Sequence, residues 1–112
     1  MAYGTLICNV VECRNLRDKE TFSKNDPYCE VFLEGSEQRF KTKTKINAGS
    51  HCMWEEQTQF NIIEGQSRLR VRVMEQDSIL KNELIGEGTV DLARVFANQA
   101  PLDQWCPIKD RS

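Results

Sequence analysis

Short runs of alternating apolar residues recur along the chain, with turn-forming residues between them. Such alternation is typical of a strand with one buried face, whereas a helix repeats its apolar residues every three to four positions. Only DLARVFANQ, at 91–99, has helical spacing. The pattern predicts an all-β fold, an antiparallel β-sandwich with one short helix near 91–99. The predicted strands are 5–13, 28–34, 38–46, 57–63, 68–75, 84–92 and 104–108.

The first of these runs predicts an irregular strand. Leu6, Cys8 and Val10 are spaced two residues apart, and Val11 and Cys13 then continue the same spacing one position out of phase. A slip of one residue moves every following side chain to the other face unless the strand contains a bulge. We therefore expect a β-bulge near the middle of this strand.

Length, charge and cysteine content limit the classes of protein to consider. The 112 residues suffice for one hydrophobic core, so we expect a single domain over 1–112. A formal charge of −2 does not favour nucleic acid as a partner. Five cysteines without a CxxC spacing favour a reduced, intracellular protein. The sequence has neither a membrane-spanning run nor a signal-peptide pattern, so we expect a cytoplasmic location.

Two polar loops, RDKETFSKND at 17–26 and EQDSILKNE at 75–83, each follow an apolar strand. The ends of such strands can lie side by side at one rim of a sandwich. Carboxylates that gather there would repel one another unless a cation neutralises them, and Ca²⁺ accepts oxygen ligands from flexible loops. The alternative is a pair of ordinary, solvated acidic loops. The carboxylates in question are Glu20, Asp26, Glu75, Asp77 and Glu83.

Four segments together resemble the C2 domain, a family of calcium- and phospholipid-binding β-sandwiches: NLRDKETFSKNDPYCEVFL, KTKTK, MWEEQTQF and LRVRVMEQDSILKNELIGEG. The resemblance implies seven to eight strands and a calcium site at Glu20, Asp26, Glu75, Asp77 and Glu83. Glutamate stands at three of these positions where the family's calcium-binding members usually have aspartate. The charge is kept, but a longer side chain alters the shape of the site.

The same resemblance implies a function, calcium-dependent binding to phospholipid membranes, in which Ca²⁺ bridges the two loops to lipid phosphate. Phe22 lies at the tip of the first loop, and Ile79 and Leu80 lie at the tip of the second. At a bilayer these side chains would insert into the boundary between headgroups and acyl chains. The alternative for them is local packing against the loops.

Two basic stretches could contact acidic lipids, including phosphoinositides. Lys41, Lys43 and Lys45 alternate with threonines and would share one face of a strand, and Arg70 and Arg72 alternate with buried aliphatic residues. An ordinary solvated face is the alternative. The family's phosphoinositide-binding members resemble this sequence only in part, because Glu30 stands where a lysine is expected. A calcium-independent adaptor that binds protein or acidic lipid through this face is the second functional hypothesis.

An enzyme is a poor fit to the sequence. His51 is the only histidine, and no nucleophile or phosphate-binding glycine loop accompanies it, so no catalytic residue is predicted. The resemblance implies an eighth strand, whereas the sequence supplies seven. Either the chain is cut from a longer one before its last strand, or the domain has seven strands. The second case would leave an open sheet edge, where a protein partner or a second copy could pair.

Overall fold

The computed structural model describes residues 4–16, 25–63, 65–76, 81–98 and 100–109. Within these ranges six strands form two antiparallel sheets, a two-stranded sheet β1–β4 and a four-stranded sheet with the order β3–β2–β5–β6. The predicted β-sandwich and its short helix are confirmed. The elements are β1 (Gly4–Cys13), β2 (Pro27–Leu33), β3 (Arg39–Lys41), β4 (Cys52–Ile62), β5 (Arg68–Glu75), β6 (Glu83–Asp91) and α1 (Ala93–Asn98).

The core lies between the two sheets and is built from the alternating apolar residues. Leu33 and Phe60 are almost fully buried, at 0% and 1% exposure, and they belong to opposite sheets. Burial of each such side chain contributes roughly 1.5–3 kcal/mol to folding. The other core residues are Val10, Cys13, Leu16, Cys29, Val31, Trp54, Ile62, Leu69, Val73, Ile85 and Leu92.

The pairing of β1 with β4 shifts register between Val10 and Glu12, so the pairing is irregular at the predicted place, but the predicted bulge in β1 itself is wrong. Val10 pairs with Glu56, and Glu12 pairs with Met53, so the additional residue lies in β4 rather than in β1. Glu55, in this stretch of β4, has a φ of 51°, in the left-handed region that bulges accommodate. The bulge therefore lies in β4, the partner of the strand whose sequence predicted it.

The predicted strand at 38–46 is shorter than expected, because β3 ends at Lys41. The Cys29 N–H donates to the Thr42 hydroxyl at 2.8 Å, and the Thr42 N–H donates to the Cys29 carbonyl at 2.9 Å. A side-chain oxygen therefore replaces a backbone carbonyl in the ladder. The chain nevertheless stays beside β2, since the Lys45 N–H donates to the Pro27 carbonyl at 3.0 Å.

The predicted strand at 104–108 does not form a regular strand. Lys109 makes an isolated antiparallel bridge with Glu87, and each N–H donates to the other's carbonyl, at 2.9 and 3.0 Å. Pro107 has no N–H to donate, so a ladder cannot run through it. The segment approaches β6 closely at Gly88, where an added Cβ would lie 2.2 Å from the Pro107 carbonyl oxygen.

One edge of the two-stranded sheet is partly covered by a side chain. The Gln38 side-chain amide accepts from the Asn61 N–H and donates to the Asn61 carbonyl, which covers part of the β4 edge. In the part of the chain that the structure describes, β1 pairs only with β4.

No helix among these residues is long and apolar enough to cross a membrane.

Candidate cation site and basic surface

Three of the five predicted calcium ligands lie at one end of the four-stranded sheet. Asp26 immediately precedes β2, Glu75 ends β5 and Glu83 begins β6. The register places Pro27 opposite Glu75, and Glu75 opposite Glu83, so the three residues occupy neighbouring strand ends. We call Asp26, Glu75 and Glu83 the acidic rim. The other two predicted ligands, Glu20 and Asp77, lie outside the described residues.

Glu75 faces the interior of the rim rather than solvent. Its side chain is 2% exposed, and its Oε2 accepts a hydrogen bond from the Asp26 N–H at 2.9 Å. The backbone adds a second link, because the Gln76 N–H donates to the Asp26 carbonyl at 3.0 Å. Glu75 therefore ties the start of β2 to the end of β5.

Asp26 ties a third segment to the same place. Its Oδ1 accepts from the Asn47 N–H at 2.6 Å, and the neighbouring Asn25 carbonyl accepts from the Gly49 N–H at 3.1 Å. Asn47 and Gly49 have φ angles of 56° and 76°, which asparagine and glycine adopt more readily than other residues. Pro27 restricts Asp26 to an extended backbone, which directs the chain into β2.

The donor chemistry of the acidic rim suits a hard cation, since carboxylate oxygens are the ligands that Ca²⁺ prefers. Glu83 is exposed and Asp26 is half-buried, whereas Glu75 already binds a backbone N–H. Among the residues that the structure describes, no three side chains of histidine, cysteine, aspartate or glutamate form a group that could hold a metal ion. The rim therefore supplies part of a ligand set. The predicted inserting residues Phe22, Ile79 and Leu80 also fall outside the described ranges.

The lysine segment, defined as Lys41, Lys43 and Lys45, runs from β3 toward the acidic rim. Lys41 and Lys43 are exposed, and Lys45 is half-buried. The Lys41 ammonium lies 4.8 Å from the centre of the Tyr28 ring, while the Lys43 N–H donates to Glu56 Oε2 at 2.9 Å. None of the three ammonium groups forms an ion pair with a carboxylate of the described residues.

The arginine pair, defined as Arg70 and Arg72 on the outer face of β5, has carboxylate partners. Arg70 lies 3.6 Å from Glu87 Oε1 and 3.8 Å from Glu34 Oε2. Arg72 lies 3.6 Å from Glu87 Oε2 and 3.9 Å from Glu30 Oε1. The register explains these contacts, because Arg72 stands opposite Glu30 on one side and Glu87 on the other. The two positive charges are largely balanced within the sheet.

Sequence reasoning missed a pair of thiols at the end of the two-stranded sheet. Cys13 and Cys52 are opposed in register, and their Sγ atoms lie 3.5 Å apart. They line an open cleft of about 420 Å³ formed by residues 12–15 and 50–53, which also includes the exposed His51. Burial raises the pKa of the Cys13 thiol, and burial together with the thiol contact raises the pKa of Cys52 to about 12. No spacing in the sequence signals this pair.

Comparison with known proteins identifies relatives along nearly the whole chain. A family model described as the C2 domain matches residues 4–108, which confirms the resemblance found in the sequence. The 16 kDa phloem protein 2 of Arabidopsis thaliana is 27% identical over 111 residues, covering 98% of this chain and 74% of that protein. Synaptotagmin-4 of Arabidopsis thaliana is 33% identical over 108 residues, covering 95% of this chain but 17% of that protein.

The solved structures show the same fold. The calcium-bound C2A and C2B domains of Extended-Synaptotagmin 2 align with a TM-score of 0.77 at 24% identity, covering 91% of this chain and 39% of that chain. At this identity the likeness concerns the arrangement of the strands. The chain spans less than half the length of both of these relatives.

Proposed function

The chain belongs to the C2 domain family, and on that premise we propose that it is a calcium-dependent phospholipid-binding module rather than an enzyme. In this proposal Glu20, Asp26, Glu75, Asp77 and Glu83 hold Ca²⁺, and the module moves reversibly between the cytoplasm and a membrane surface. One observation carries the proposal: Asp26, Glu75 and Glu83 occupy neighbouring strand ends at one rim of the sheet. Carboxylates that converge at one rim favour a counter-charge, and the proposal adds Glu20 and Asp77 to the three that the register brings to neighbouring strand ends.

The chain's own residues prepare the rim for a cation. Glu75 accepts a hydrogen bond from the Asp26 N–H, and Asp26 Oδ1 accepts one from the Asn47 N–H. These bonds hold the end of β5, the start of β2 and the turn at 46–50 together. Glu83 is exposed beside them and leaves its oxygens accessible. When bound, calcium would neutralise these carboxylates and offer a coordination position to a lipid phosphate oxygen.

Two further sets of residues would contact the bilayer. Phe22, Ile79 and Leu80 would each gain roughly 1.5–3 kcal/mol by leaving water for the acyl boundary. The lysine segment would add ~1 kcal/mol per charge on an anionic surface. Its position supports this role, since the Lys45 N–H bonds to Pro27, the residue next to Asp26. A membrane resting on the rim would therefore meet the lysines as well.

The second candidate is a calcium-independent adaptor that binds acidic lipid or protein through its basic face. The lysine segment favours it, because its ammonium groups have no carboxylate partner among the described residues. Glu75 favours it too, since one of its oxygens is already bonded to the backbone. The two candidates differ in whether Ca²⁺ binds the chain in the absence of lipid.

Calorimetric titration with CaCl₂, combined with thermal melts, separates the candidates. We expect heat on calcium addition and a rise in melting temperature, because a ligand that binds only the folded state stabilises it by mass action. The double variant Asp26→Asn, Glu83→Gln should lose both effects and still fold, since the new side chains keep the size and a hydrogen-bonding oxygen. Glu37→Gln, in an exposed turn away from the rim, is the matched control. Absence of heat and of any thermal shift in the unmodified chain would exclude calcium binding and favour the adaptor.

A separate experiment tests the inserting residues. Replacing Phe22, Ile79 and Leu80 together by serine should abolish binding to vesicles in calcium while leaving lipid-free calcium binding unchanged. The carboxylates would hold the ion, and the apolar side chains would contribute only at the bilayer. Unchanged vesicle binding by the triple-serine variant would show that these side chains do not insert.

A further inference from the structure

The thiol pair, Cys13 and Cys52, has a geometry that suits a covalent bond. Cys13 ends β1, Cys52 begins β4, and the two stand directly opposite each other in the ladder. Opposed residues of antiparallel strands have Cα atoms about 4.5–5.5 Å apart, inside the range of about 4.4–6.8 Å that disulfides span. The sulfurs already lie 3.5 Å apart. A bond requires the sulfurs to approach by a further ~1.5 Å, to the S–S length of about 2.05 Å.

No other cysteine shares this arrangement. Cys8 stands opposite Thr58, Cys29 stands opposite Val73, and Cys106 lies outside the strands. All five thiols are free, and Cys13 and Cys52 alone are opposed in register and in contact. Both cysteines line the cleft formed by residues 12–15 and 50–53, and Cys52 is the more exposed of the two.

We propose that Cys13 and Cys52 are a modification site, at which a reversible intramolecular disulfide forms by exchange with a small disulfide such as glutathione disulfide. The proposal is independent of calcium or lipid binding. The bond would join residues 39 positions apart in the sequence and fix the end of β1 to the start of β4.

The exchange proceeds in two steps. Cys52, the less buried thiol, loses its proton and attacks one sulfur of glutathione disulfide, whose S–S bond breaks to release one glutathione thiolate. The Cys13 thiolate then attacks the Cys52 sulfur of the mixed disulfide and releases the second glutathione. Two protons and two electrons leave the protein, and one glutathione disulfide becomes two glutathione molecules. Because the thiolate is the attacking species, the raised pKa of both thiols makes this exchange slow near neutral pH.

The position of the bond gives it a structural consequence. The Leu16 N–H donates to the Ser50 carbonyl at 3.0 Å, so the segments that continue from Cys13 and precede Cys52 are already in contact. The Cys52 side leads back through the turn at 46–50, whose Asn47 N–H bonds to Asp26. The disulfide would therefore brace the support of the acidic rim, and it should stabilise the fold by restricting the unfolded chain.

The test equilibrates the folded chain in glutathione buffers of increasing oxidised fraction, then alkylates the remaining thiols and maps the peptides by mass spectrometry. We expect loss of two hydrogens, one Cys13–Cys52 linkage, a higher melting temperature, and reversal of all three by dithiothreitol. Cys52→Ser and Cys13→Ser should each abolish the linkage, and Cys106→Ser, at another half-buried thiol, should keep it. The linkage map of the unmodified chain decides the result even if a serine variant fails to fold.

Three outcomes would overturn the proposal. The first is that all five thiols remain alkylatable in buffers that oxidise the same chain in denaturant. The second is a linkage that involves any cysteine other than Cys13 and Cys52. The third is a glutathione adduct on Cys52 that persists, because Cys13 would then have failed to displace it.

Discussion

Two basic stretches that look alike in the sequence differ in the structure. Both alternate a cation with an uncharged residue, yet the arginine pair has carboxylate partners, whereas the lysine segment has none among the residues that the structure describes. The difference follows from position in the sheet. β5 is central and has a neighbour on each side, so Arg72 meets both Glu30 and Glu87. Lys41 ends the edge strand β3, which has one neighbour, and Lys43 and Lys45 follow that strand.

Whether a basic side chain is free to bind an anionic partner therefore depends on which residues stand opposite it in the sheet, as well as on how many basic residues the sequence has. A residue on a central strand can form cross-strand pairs on both sides. A residue on an edge strand has a neighbouring strand on one side only, so its charge can face solvent on the other. Lys41 illustrates this: it stands opposite Glu30, but that carboxylate contacts Arg39 and Arg72, and the ammonium lies over Tyr28. The lysine segment is thus the basic surface that we expect to contact anionic lipid.

Removing the charge of the lysine segment should produce the largest effect. Replacing Lys41, Lys43 and Lys45 together by glutamine should weaken binding to vesicles that contain anionic lipid by ~3 kcal/mol, roughly a hundredfold. Co-sedimentation at low ionic strength measures the loss, and the gap from the unmodified chain should shrink as salt is added. Neutral vesicles provide the control, since their binding should not change. Equal binding of both proteins to anionic vesicles would contradict a role for these lysines.

Removing carboxylate partners of the arginine pair should strengthen binding to anionic vesicles, by less than the lysine replacements weaken it. Replacing Glu30 and Glu87 by glutamine removes both carboxylates that contact Arg72 and one of the two that contact Arg70, which keeps Glu34. We expect binding to anionic vesicles to strengthen by ~1 kcal/mol, about fivefold, because the new charge lies on one face of the sheet. A thermal melt must show that the variant is folded. Unchanged binding by a folded variant would mean that this face does not approach the membrane.

Removing the arginine pair itself should have the smallest effect. Arg70→Gln with Arg72→Gln should leave vesicle binding within about twofold, because the two charges are already paired. The melting temperature should fall slightly, since partly exposed ion pairs contribute up to ~1 kcal/mol to folding. The same vesicles used for the lysine variant provide the comparison. A loss as large as that of the lysine variant would show that the ion pairs open at the membrane and that the distinction between the two stretches is wrong.

The class of fold and part of the acidic rim could be predicted from the sequence. Alternation identified all six strands that the structure describes, although β4 begins at Cys52 rather than near 57 and β3 is shorter than predicted. The same alternation could have shown that Glu75 points inward. Glu75 continues the series Leu69, Val71 and Val73, whose side chains face the core, and the structure finds it 2% exposed. Its hydrogen bond to the Asp26 N–H needs the pairing of β2 with β5, which no local pattern encodes.

Features that depend on long-range register could not be predicted. Glu34 and Glu87 contact Arg70 across two different strands, and Cys13 meets Cys52 from 39 residues away. The predicted strand at 104–108 failed for a local reason, because Pro107 interrupts the backbone donors that a ladder needs. Composition and spacing describe single strands, whereas the charged network and the thiol pair are properties of how the strands are aligned.

The most direct test of the proposed function is co-sedimentation of the unmodified chain with phosphatidylcholine vesicles that contain phosphatidylserine, in millimolar calcium and again in excess chelator. We expect the chain to pellet with the vesicles in calcium and to return to the supernatant in chelator, because the acidic rim would repel an anionic surface once the counter-charge is removed. Equal pelleting in calcium and in chelator would contradict calcium-dependent binding and favour the adaptor. No pelleting in either condition would contradict lipid binding by either candidate and would leave only an adaptor that binds protein.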